Sequence, residues 1–391
     1  MAIIDRVEVI DFKYDLTDMG SAFQNAHNHI GYLKGGILTT RKYAIVIHCE
    51  DGSQGEYVTQ WGGQRPALQQ SLQLVADLPG QDSDRREEFF NEWTRRLCHM
   101  DHMGQGPVDI CLWDLAGKQA KKSVSAMLGR FRDKIPAYAS TYHGDHTGML
   151  DSYEAFTDYL CYCKEHGFVA FKHHGWFDGD AKVEATLIRK LREGAGDEMV
   201  LMYDGASDLR TFADALYVGK ACDDANYFWY EDPYRDNSVS AYAHKKLRSM
   251  IKTPLLITEH VRSLQQKCDF LLMEGTDFLR VDPEYDQGIT GAIKTAHLAE
   301  AFGVDVEIHA CGPAQRQVIG AIRNTNYYEL AELGPKLHNV LPPCYADGYR
   351  DEFDSIDGEG NITIPDGPGL GVTYDWEWIN AHTENRWIFT K

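Results

Sequence analysis

The sequence predicts an α/β protein, a modified TIM-like (β/α)8-type barrel with an N-terminal α+β capping domain. Six short strand-like segments in the second half of the chain each close on a residue that can bind a metal or move a proton; they read FKHHGW, LMYDGAS, FWYEDP, LLITEHV, FLRVDPEYD and VEIHACG. From His174 to His309 these residues follow at spacings of 30, 27, 28, 23 and 27, which suits one strand, one helix and two loops per unit. The length of 391 residues exceeds the roughly 250 of a minimal barrel and leaves room for a second domain.

Residues 1–130 lack this rhythm and are predicted to form the capping domain. IIDRVEVIDF and KYAIVIHCEDGSQGEYV have the composition of strands, and DGS makes a turn within the second. Three later segments carry apolar residues three and four positions apart, as amphipathic helices do; they are ALQQSLQLVADL, REEFFNEWTRRLCHM and VDICLWDLAGKQAKK.

Residues 131–340 alternate short strands with helical segments, several of which end at glycine, so the strands are predicted to be parallel and to form the barrel. Residues 341–391 are rich in Gly, Pro and Asp and contain the strand-like GNITIP, but no further βα unit. We predict that this last segment packs back on the capping domain.

Composition narrows the classes of function. A net charge of −20 argues against nucleic acid or an anionic membrane as a partner. No stretch approaches the roughly 18 apolar residues of a membrane span. The N-terminus is charged from its fifth residue and has no apolar run of signal-peptide length, and the nine cysteines follow no metal-binding spacing. We therefore expect a cytoplasmic protein that acts on a small molecule.

Three acids on successive predicted strands, Asp204, Glu231 and Glu259, each close an apolar segment. A single acid in this place is usually a helix cap or a surface charge. Because barrel strands end at one face, however, all three should converge, and unpaired carboxylates at one point repel strongly unless a cation is bound. An all-oxygen ligand set favours Mg²⁺, which keeps open positions for a substrate carboxylate and its 2-hydroxyl.

Possible bases flank this predicted metal site. Asp282 and His309 end consecutive units, and a carboxylate that bonds one ring nitrogen raises the basicity of the other, so His309 is a candidate general base. Lys172 and His174 alternate along one strand and should face the barrel mouth, as a second acid or base. Beside a bound cation, Lys172 should have a lowered pKa. His173 points the other way, and we assign it no role.

Together these residues resemble the enolase superfamily, mandelate racemase-like subgroup, over almost the whole chain. The resemblance is carried by the three acids, the Asp282–His309 pair, QGIT at 287–290, VDICLWDLAGKQAKKSVSAMLG at 108–129 and PDGPGLGV at 365–372. It also matches Glu329 to the acid at the end of the eighth strand, which in relatives hydrogen-bonds the substrate carboxylate. One position departs from the family pattern, since Lys172-x-His174 stands where Lys-x-Lys is usual.

The resemblance implies a Mg²⁺-dependent hydro-lyase. The α-proton of a sugar acid, an aldonate or an aldarate, would be removed through a metal-stabilised enediolate, and loss of the 3-hydroxyl would give a 2-keto-3-deoxy acid. A racemase, epimerase or cycloisomerase acting through the same enediolate is the alternative. A catalytically silent binding protein is a third hypothesis, against which the intact acid set argues. Relatives are commonly dimers or octamers, so we expect a homo-oligomer.

Substrate specificity is expected from capping-domain loops that close over the barrel mouth. Two polar stretches, GSAFQNAHNHIGYLK at 20–34 and GEYVTQWGG at 55–63, are candidates, and so polar a lining suits a polyhydroxy acid. The predicted substrate contacts are His27, His29, Glu56, Tyr57, Trp61, Tyr142, His143 and His260.

Overall fold

The chain begins with an antiparallel sheet covered by helices, in a computed structural model that describes residues 2–21, 30–176 and 178–391. β1 (Ile4–Ser21) pairs with β2 (Ile30–Cys49), which pairs with β3 (Gln54–Val58). Four helices follow, α1 (Arg65–Val75), α2 (Arg86–Arg96), α3 (Gln105–Ala120) and the short α4 (Val124–Met127). This is the α+β capping unit expected from the sequence.

Helix α3 lies between the capping sheet and the barrel, and it is buried on nearly all sides. Gly106 permits this close approach, because a β-carbon there would lie 2.2 Å from the backbone oxygen of Glu284. One turn later, the Asp109 carboxylate accepts hydrogen bonds from Thr290 N at 3.0 Å and Thr290 Oγ1 at 2.6 Å. The capping domain is therefore fixed to a barrel helix directly below the mouth.

Eight parallel strands form the barrel, with helices between them. The strands are β4 (Lys134–Thr141), β5 (Ala170–His174), β6 (Val200–Asp204), β7 (Trp229–Glu231), β8 (Leu255–Ile257), β9 (Phe278–Val281), β10 (Asp305–Ile308) and β11 (Tyr328–Leu333). The helices are α5 (Tyr153–Glu165), α6 (Ala181–Ala195), α7 (Phe212–Asp224), α8 (Ala241–Arg248), α9 (Leu264–Leu272), α10 (Gly288–Ala301) and α11 (Pro313–Ala321). Each of these seven helices lies between two consecutive strands of the barrel, which the structure describes from β4 to β11. The predicted fold class is confirmed.

The barrel interior is layered. An apolar cluster of Tyr138, Ala170, Met202, Trp229 and Leu256 fills its lower part. Above it lie charged side chains that are almost completely buried, and above these the strand ends open into the mouth. The charged layer therefore lies between an apolar floor and the open mouth.

The final segment of the chain returns to both parts of the molecule. β12 (Asn361–Thr363) pairs antiparallel with the barrel strand β4, whereas β13 (Thr383–Thr390) pairs antiparallel with β1 after the short helix α12 (Trp376–Ala381). The capping sheet therefore has the order β13-β1-β2-β3. The prediction placed the whole segment on the capping domain, but the strand within GNITIP lies on the barrel. No helix in the described ranges is both long and apolar enough to cross a membrane.

Candidate active site

Three carboxylates meet at the mouth of the barrel. Asp204 and Glu231 are the last residues of β6 and β7, and Glu259 lies two residues beyond β8. One oxygen of each lies within 4.8 Å of the others. Ligands on opposite sides of an octahedral Mg²⁺ are about 4 Å apart, so small side-chain adjustments would bring these oxygens to one ion. The donor set, all oxygen and all anionic, suits a hard divalent cation.

Their electrostatic surroundings differ. Burial raises the pKa of Glu231 to about 7. Burial acts in the same direction on Asp204, but Lys172 and His174 outweigh it and hold the pKa of Asp204 well below its usual range. His309 and His260 likewise outweigh burial at Glu259 and lower its pKa. The site thus supplies at least two ionised carboxylates at neutral pH.

A buried charged layer supports these acids from beneath. Lys172 Nζ lies 3.2 Å from Asp204 Oδ2, 3.0 Å from Glu231 Oε2 and 2.8 Å from Glu329 Oε1. Arg280, which is completely buried, reaches Glu231 Oε1 at 2.8 Å and Glu329 Oε2 at 2.6 Å. Two cations therefore bridge three carboxylates, which fixes their positions and compensates most of their charge.

The same layer shifts the pKa of two of its own members. Burial and Arg280 lower the pKa of Lys172, but Glu231 and Glu329 outweigh them and raise it well above its usual range. The lowered pKa expected of Lys172 referred to a site with a bound cation, and it stays a prediction for that state. Arg280 and Lys172 also outweigh burial at Glu329 and lower its pKa well below the usual range. An ionised Glu329 accepts hydrogen bonds, so the role implied by the resemblance requires it to take up a proton.

Asp282 and His309 stand directly after β9 and β10. The Nδ1 atom of His309 lies 2.6 Å from Asp282 Oδ2, and its Nε2 atom lies 3.5 Å from Glu259 Oε1. Burial lowers the pKa of His309, but Glu259 and Asp282 outweigh it and raise the pKa to about 9. The Nδ1 atom of His309 is thus bonded to Asp282, while its Nε2 atom faces the three carboxylates at the mouth.

His174, the last residue of β5, lies on another side of the mouth. Its Nδ1 atom is 2.6 Å from the backbone oxygen of Thr141, and its Nε2 atom is 3.1 Å from Asp204 Oδ2. The carbonyl can only accept a hydrogen bond, so Nδ1 carries a proton. The ring lies 4.4 Å from that of His143. His173 faces the helix layer instead, where burial lowers its pKa to about 3.

These side chains surround a cavity of about 260 Å³. Among the predicted contacts, Trp61, His143 and His260 line it. The Trp61 ring lies 6.3 Å from the His309 ring, and its Nε1 donates to the backbone oxygen of Cys311 at 2.8 Å. The Nε2 atom of His260 is 3.5 Å from Asp232 Oδ2.

Other predicted contacts lie elsewhere. Of the described residues, Glu56, Tyr57 and Tyr142 are absent from the cavity lining. Glu56 binds Lys118 Nζ at 2.7 Å within the capping domain, Tyr57 is completely buried, and the Tyr142 hydroxyl donates to the backbone oxygen of His338 at 2.6 Å. The prediction that these three residues contact the substrate is corrected, because the polar group of each already has a partner away from the mouth. His27 and His29 lie outside the described residues.

Four further cavity or support residues were not identified from sequence: Arg280, Asp232, Tyr285 and Glu332. Arg280 stands two positions before Asp282, and this alternation is a signal that both face the barrel interior. Asp232 follows Glu231 directly, and the Tyr285 ring lies 5.3 Å from that of His309. Glu332 lies three residues beyond Glu329.

Comparison with known proteins identifies the family. Residues 159–378 match the family "Enolase C-terminal domain-like". Residues 34–129 match "Mandelate racemase / muconate lactonizing enzyme, N-terminal domain". The chain belongs to the enolase superfamily. The predicted family is therefore confirmed, and its two matched regions contain much of the capping domain and most of the barrel.

Individual members of the superfamily are similar at low identity. A D-gluconate dehydratase of Thermoproteus tenax is 23% identical over 324 residues, 78% of this chain but only 62% of that protein, which is less than two thirds of its length. A D-galactarolactone cycloisomerase of Agrobacterium fabrum (strain C58) is 26% identical over 344 residues, 84% of this chain and 87% of that protein. The crystal structure of D-glucarate dehydratase from Agrobacterium tumefaciens complexed with magnesium has a TM-score of 0.82 and 25% identity, covering 98% of this chain and 99% of that chain.

Proposed function

We propose that this enolase superfamily member is a Mg²⁺-dependent dehydratase that converts a sugar acid into a 2-keto-3-deoxy acid. The observation that supports this most directly is that three carboxylates and a histidine converge at the barrel mouth. The oxygens of Asp204, Glu231 and Glu259 lie within 4.8 Å of one another, and His309 Nε2 lies 3.5 Å from Glu259. A carboxylate substrate held by an ion at the three acids would place its α-carbon within reach of that nitrogen. Dehydratases among the similar proteins and the magnesium in one of them also support the proposal.

His309 takes the C2 proton in its neutral form, which a cation bound at the neighbouring Glu259 would favour by lowering the pKa of His309 from about 9. Asp282 accepts the hydrogen bond from Nδ1, which leaves the Nε2 lone pair directed at the substrate and stabilises the imidazolium that forms. Bound at the three acids, Mg²⁺ would supply charge stabilisation for the anion left on the substrate. Lys172 and Arg280 hold Glu231 so that the acids need not reorganise during the reaction.

Loss of water completes the conversion. The electron pair left by the C2 proton forms a C2–C3 double bond, and the C3–O bond breaks. The departing hydroxyl takes a proton from an acid and leaves as water, and the enol then tautomerises to the 2-keto acid. We assign His174 as this acid, because its ring lines the cavity and Thr141 accepts its Nδ1 proton. Burial lowers the pKa of His174, but Asp204 outweighs it and raises the pKa, which favours a second proton on Nε2.

An isomerase is the second candidate, and a specific observation favours it. His174 and His309 both line the cavity from different strands, β5 and β10, which β6, β7, β8 and β9 separate in the sheet order. Two bases on different faces of C2 would permit epimerisation, and a cycloisomerase is among the similar proteins. In that case no hydroxyl is lost.

One experiment separates these candidates. Purified protein with Mg²⁺ is incubated with a library of sugar acids in deuterated solvent, and 2-keto acid formation by semicarbazide and C2 deuteration are both measured. A dehydratase forms ketone, an epimerase exchanges C2 hydrogen without ketone, and a binding protein does neither. His309→Asn should lower turnover by about 10²–10⁴-fold, whereas His99→Asn, at an exposed turn, is the matched control. Full activity of His309→Asn with saturating Mg²⁺ would refute the assignment of the base.

His174→Ala tests the second assignment. A dehydratase that uses His309 as its base should retain C2 exchange in this variant while ketone formation falls. An epimerase should retain exchange with only one of the two C2 epimers. Loss of exchange with every substrate would contradict both and make His174 the primary base.

A further inference from the structure

Two acids on β11 differ sharply in their surroundings. Glu329 is bonded to Lys172 and Arg280 and accepts a further hydrogen bond from the backbone N–H of Ala310 at 2.7 Å. Glu332 also lines the cavity, but its Oε2 atom is buried and has no hydrogen-bond partner among the described residues. Leaving a buried acceptor unpaired is unfavourable. Glu332 thus presents a free acceptor to whatever occupies the cavity.

The backbone turns Glu332 inward. Strict alternation along a strand would place residues 329, 331 and 333 on one face and residue 332 on the other. The pairing of β11 with β4 instead shifts register between Leu330 and Leu333, and Glu332 has a left-handed φ of +53°. Such a conformation is strained for a non-glycine residue and is typical of functional sites.

The positive charge of the cavity is largely engaged already, since its histidines include His174 and His309, which are bonded to Asp204 and Asp282. Of the lining residues that the structure describes, Lys172 is the one lysine and none is an arginine. Lys172 is already bonded to three carboxylates. The sequence of residues 22–29, AFQNAHNH, and Phe177 add neither lysine nor arginine. Binding of a fully ionised diacid would therefore leave its distal carboxylate without a permanent cation, in a cavity that also holds Asp232.

We propose that the site selects aldonates, which carry one carboxylate, over aldarates, which carry two, and that Glu332 is the residue that enforces this choice. It accepts a hydrogen bond from a hydroxyl of the substrate chain and repels a carboxylate at the far end. The inference deepens the proposed function and rests on it for the position of the first carboxylate. Burial raises the pKa of Glu332 to about 7, so roughly pH 8 is the condition at which it is mainly ionised.

The test measures binding without turnover. Isothermal titration calorimetry of the His309→Asn variant with saturating Mg²⁺ at roughly pH 8 compares matched pairs that differ only at the terminal carbon, gluconate with glucarate and galactonate with galactarate. We expect at least one aldonate to bind about tenfold more tightly than its aldarate. Adding Glu332→Gln should reduce the difference to less than about threefold, because the amide is uncharged. Glu359→Gln, at an exposed position, is the matched control and should leave the difference unchanged.

Several results would overturn the inference. One is tighter binding of the aldarates than of the aldonates. Another is a difference in affinity that Glu332→Gln leaves intact. A third is that neither member of any pair binds to protein that still binds Mg²⁺ in the same calorimeter. Wild-type turnover is measured separately to distinguish the two proposals. Dehydration of diacids in preference to monoacids would refute the selection by Glu332 and keep the proposed function, whereas C2 exchange of aldonates without ketone would refute dehydration alone.

Discussion

Glu284 joins the capping domain to the barrel mouth, and its replacement by glutamine is an informative perturbation. Its Oε1 accepts hydrogen bonds from the Tyr57 hydroxyl and Gln60 N, both at 2.8 Å. Its Oε2 accepts from Trp61 N at 2.6 Å and Gly62 N at 2.5 Å. One carboxylate therefore holds the whole 57–62 loop, including the indole that packs near His309.

The size of the effect follows from these four bonds. Glu284→Gln keeps one acceptor oxygen but turns the other into an NH₂ group that faces N–H donors. Two buried donors lose their partners, and each such loss costs about 1–3 kcal/mol, so opening of the loop should become easier by about 2–6 kcal/mol. Tyr57→Phe is the control, because it removes a single donor and should cost only about 1 kcal/mol.

Amide hydrogen exchange measures the opening of this loop at its own backbone N–H groups. The backbone amides of Gln60, Trp61 and Gly62 should lose protection by at least about 30-fold in Glu284→Gln, since each 1.4 kcal/mol is about a factor of ten. Turnover should fall as well, because Trp61 is no longer held beside His309. Unchanged protection of these three amides would refute the view that Glu284 holds the loop.

Three further predictions concern buried charges. Burial raises the pKa of Glu184 from 4.5 to about 8, so the stability linked to its neutral form is full below pH 4.5 and is lost as pH rises through 8. In urea unfolding, the free energy of unfolding of Glu184→Gln should therefore rise by about 2–3 kcal/mol relative to wild type between roughly pH 6 and pH 9. Parallel pH profiles of the two proteins would contradict this. Arg280→Met should lower the free energy of unfolding by about 3–5 kcal/mol, with partial recovery on adding Mg²⁺. Arg323→Met, at an exposed position, should leave the free energy of unfolding nearly unchanged. Equal effects of the two variants would refute the argument that buried charges in the barrel stabilise one another. Asp282→Asn should reduce turnover by about 10–100-fold while calorimetric Mg²⁺ affinity is kept, and full turnover would show that His309 needs no orienting carboxylate.

The sequence predicted the parts of the site that depend on strand order. Parallel strands bring their ends together, so spacing alone indicated that Asp204, Glu231 and Glu259 converge. It did not predict Glu332, because the shifted register and left-handed backbone that turn this residue inward leave no local sequence signal. Tyr57 was misplaced for a related reason: a polar, aromatic stretch predicted a lid, but the hydroxyl group reaches a barrel carboxylate below it. Contacts between distant parts of the chain are set by packing, which periodicity does not report.

The pairing of β13 with β1 has a consequence for synthesis of the protein. β1 is made before the barrel, but its partner at Thr383–Thr390 is made after the entire barrel. Until then, the edge of the nascent capping sheet exposes unpaired backbone N–H and C=O groups, which can pair with other chains. A ribosome that stalls or terminates within the barrel region would release a chain with this edge open. We expect such truncated products to aggregate or to be bound by chaperones, even where their barrel strands are already in place.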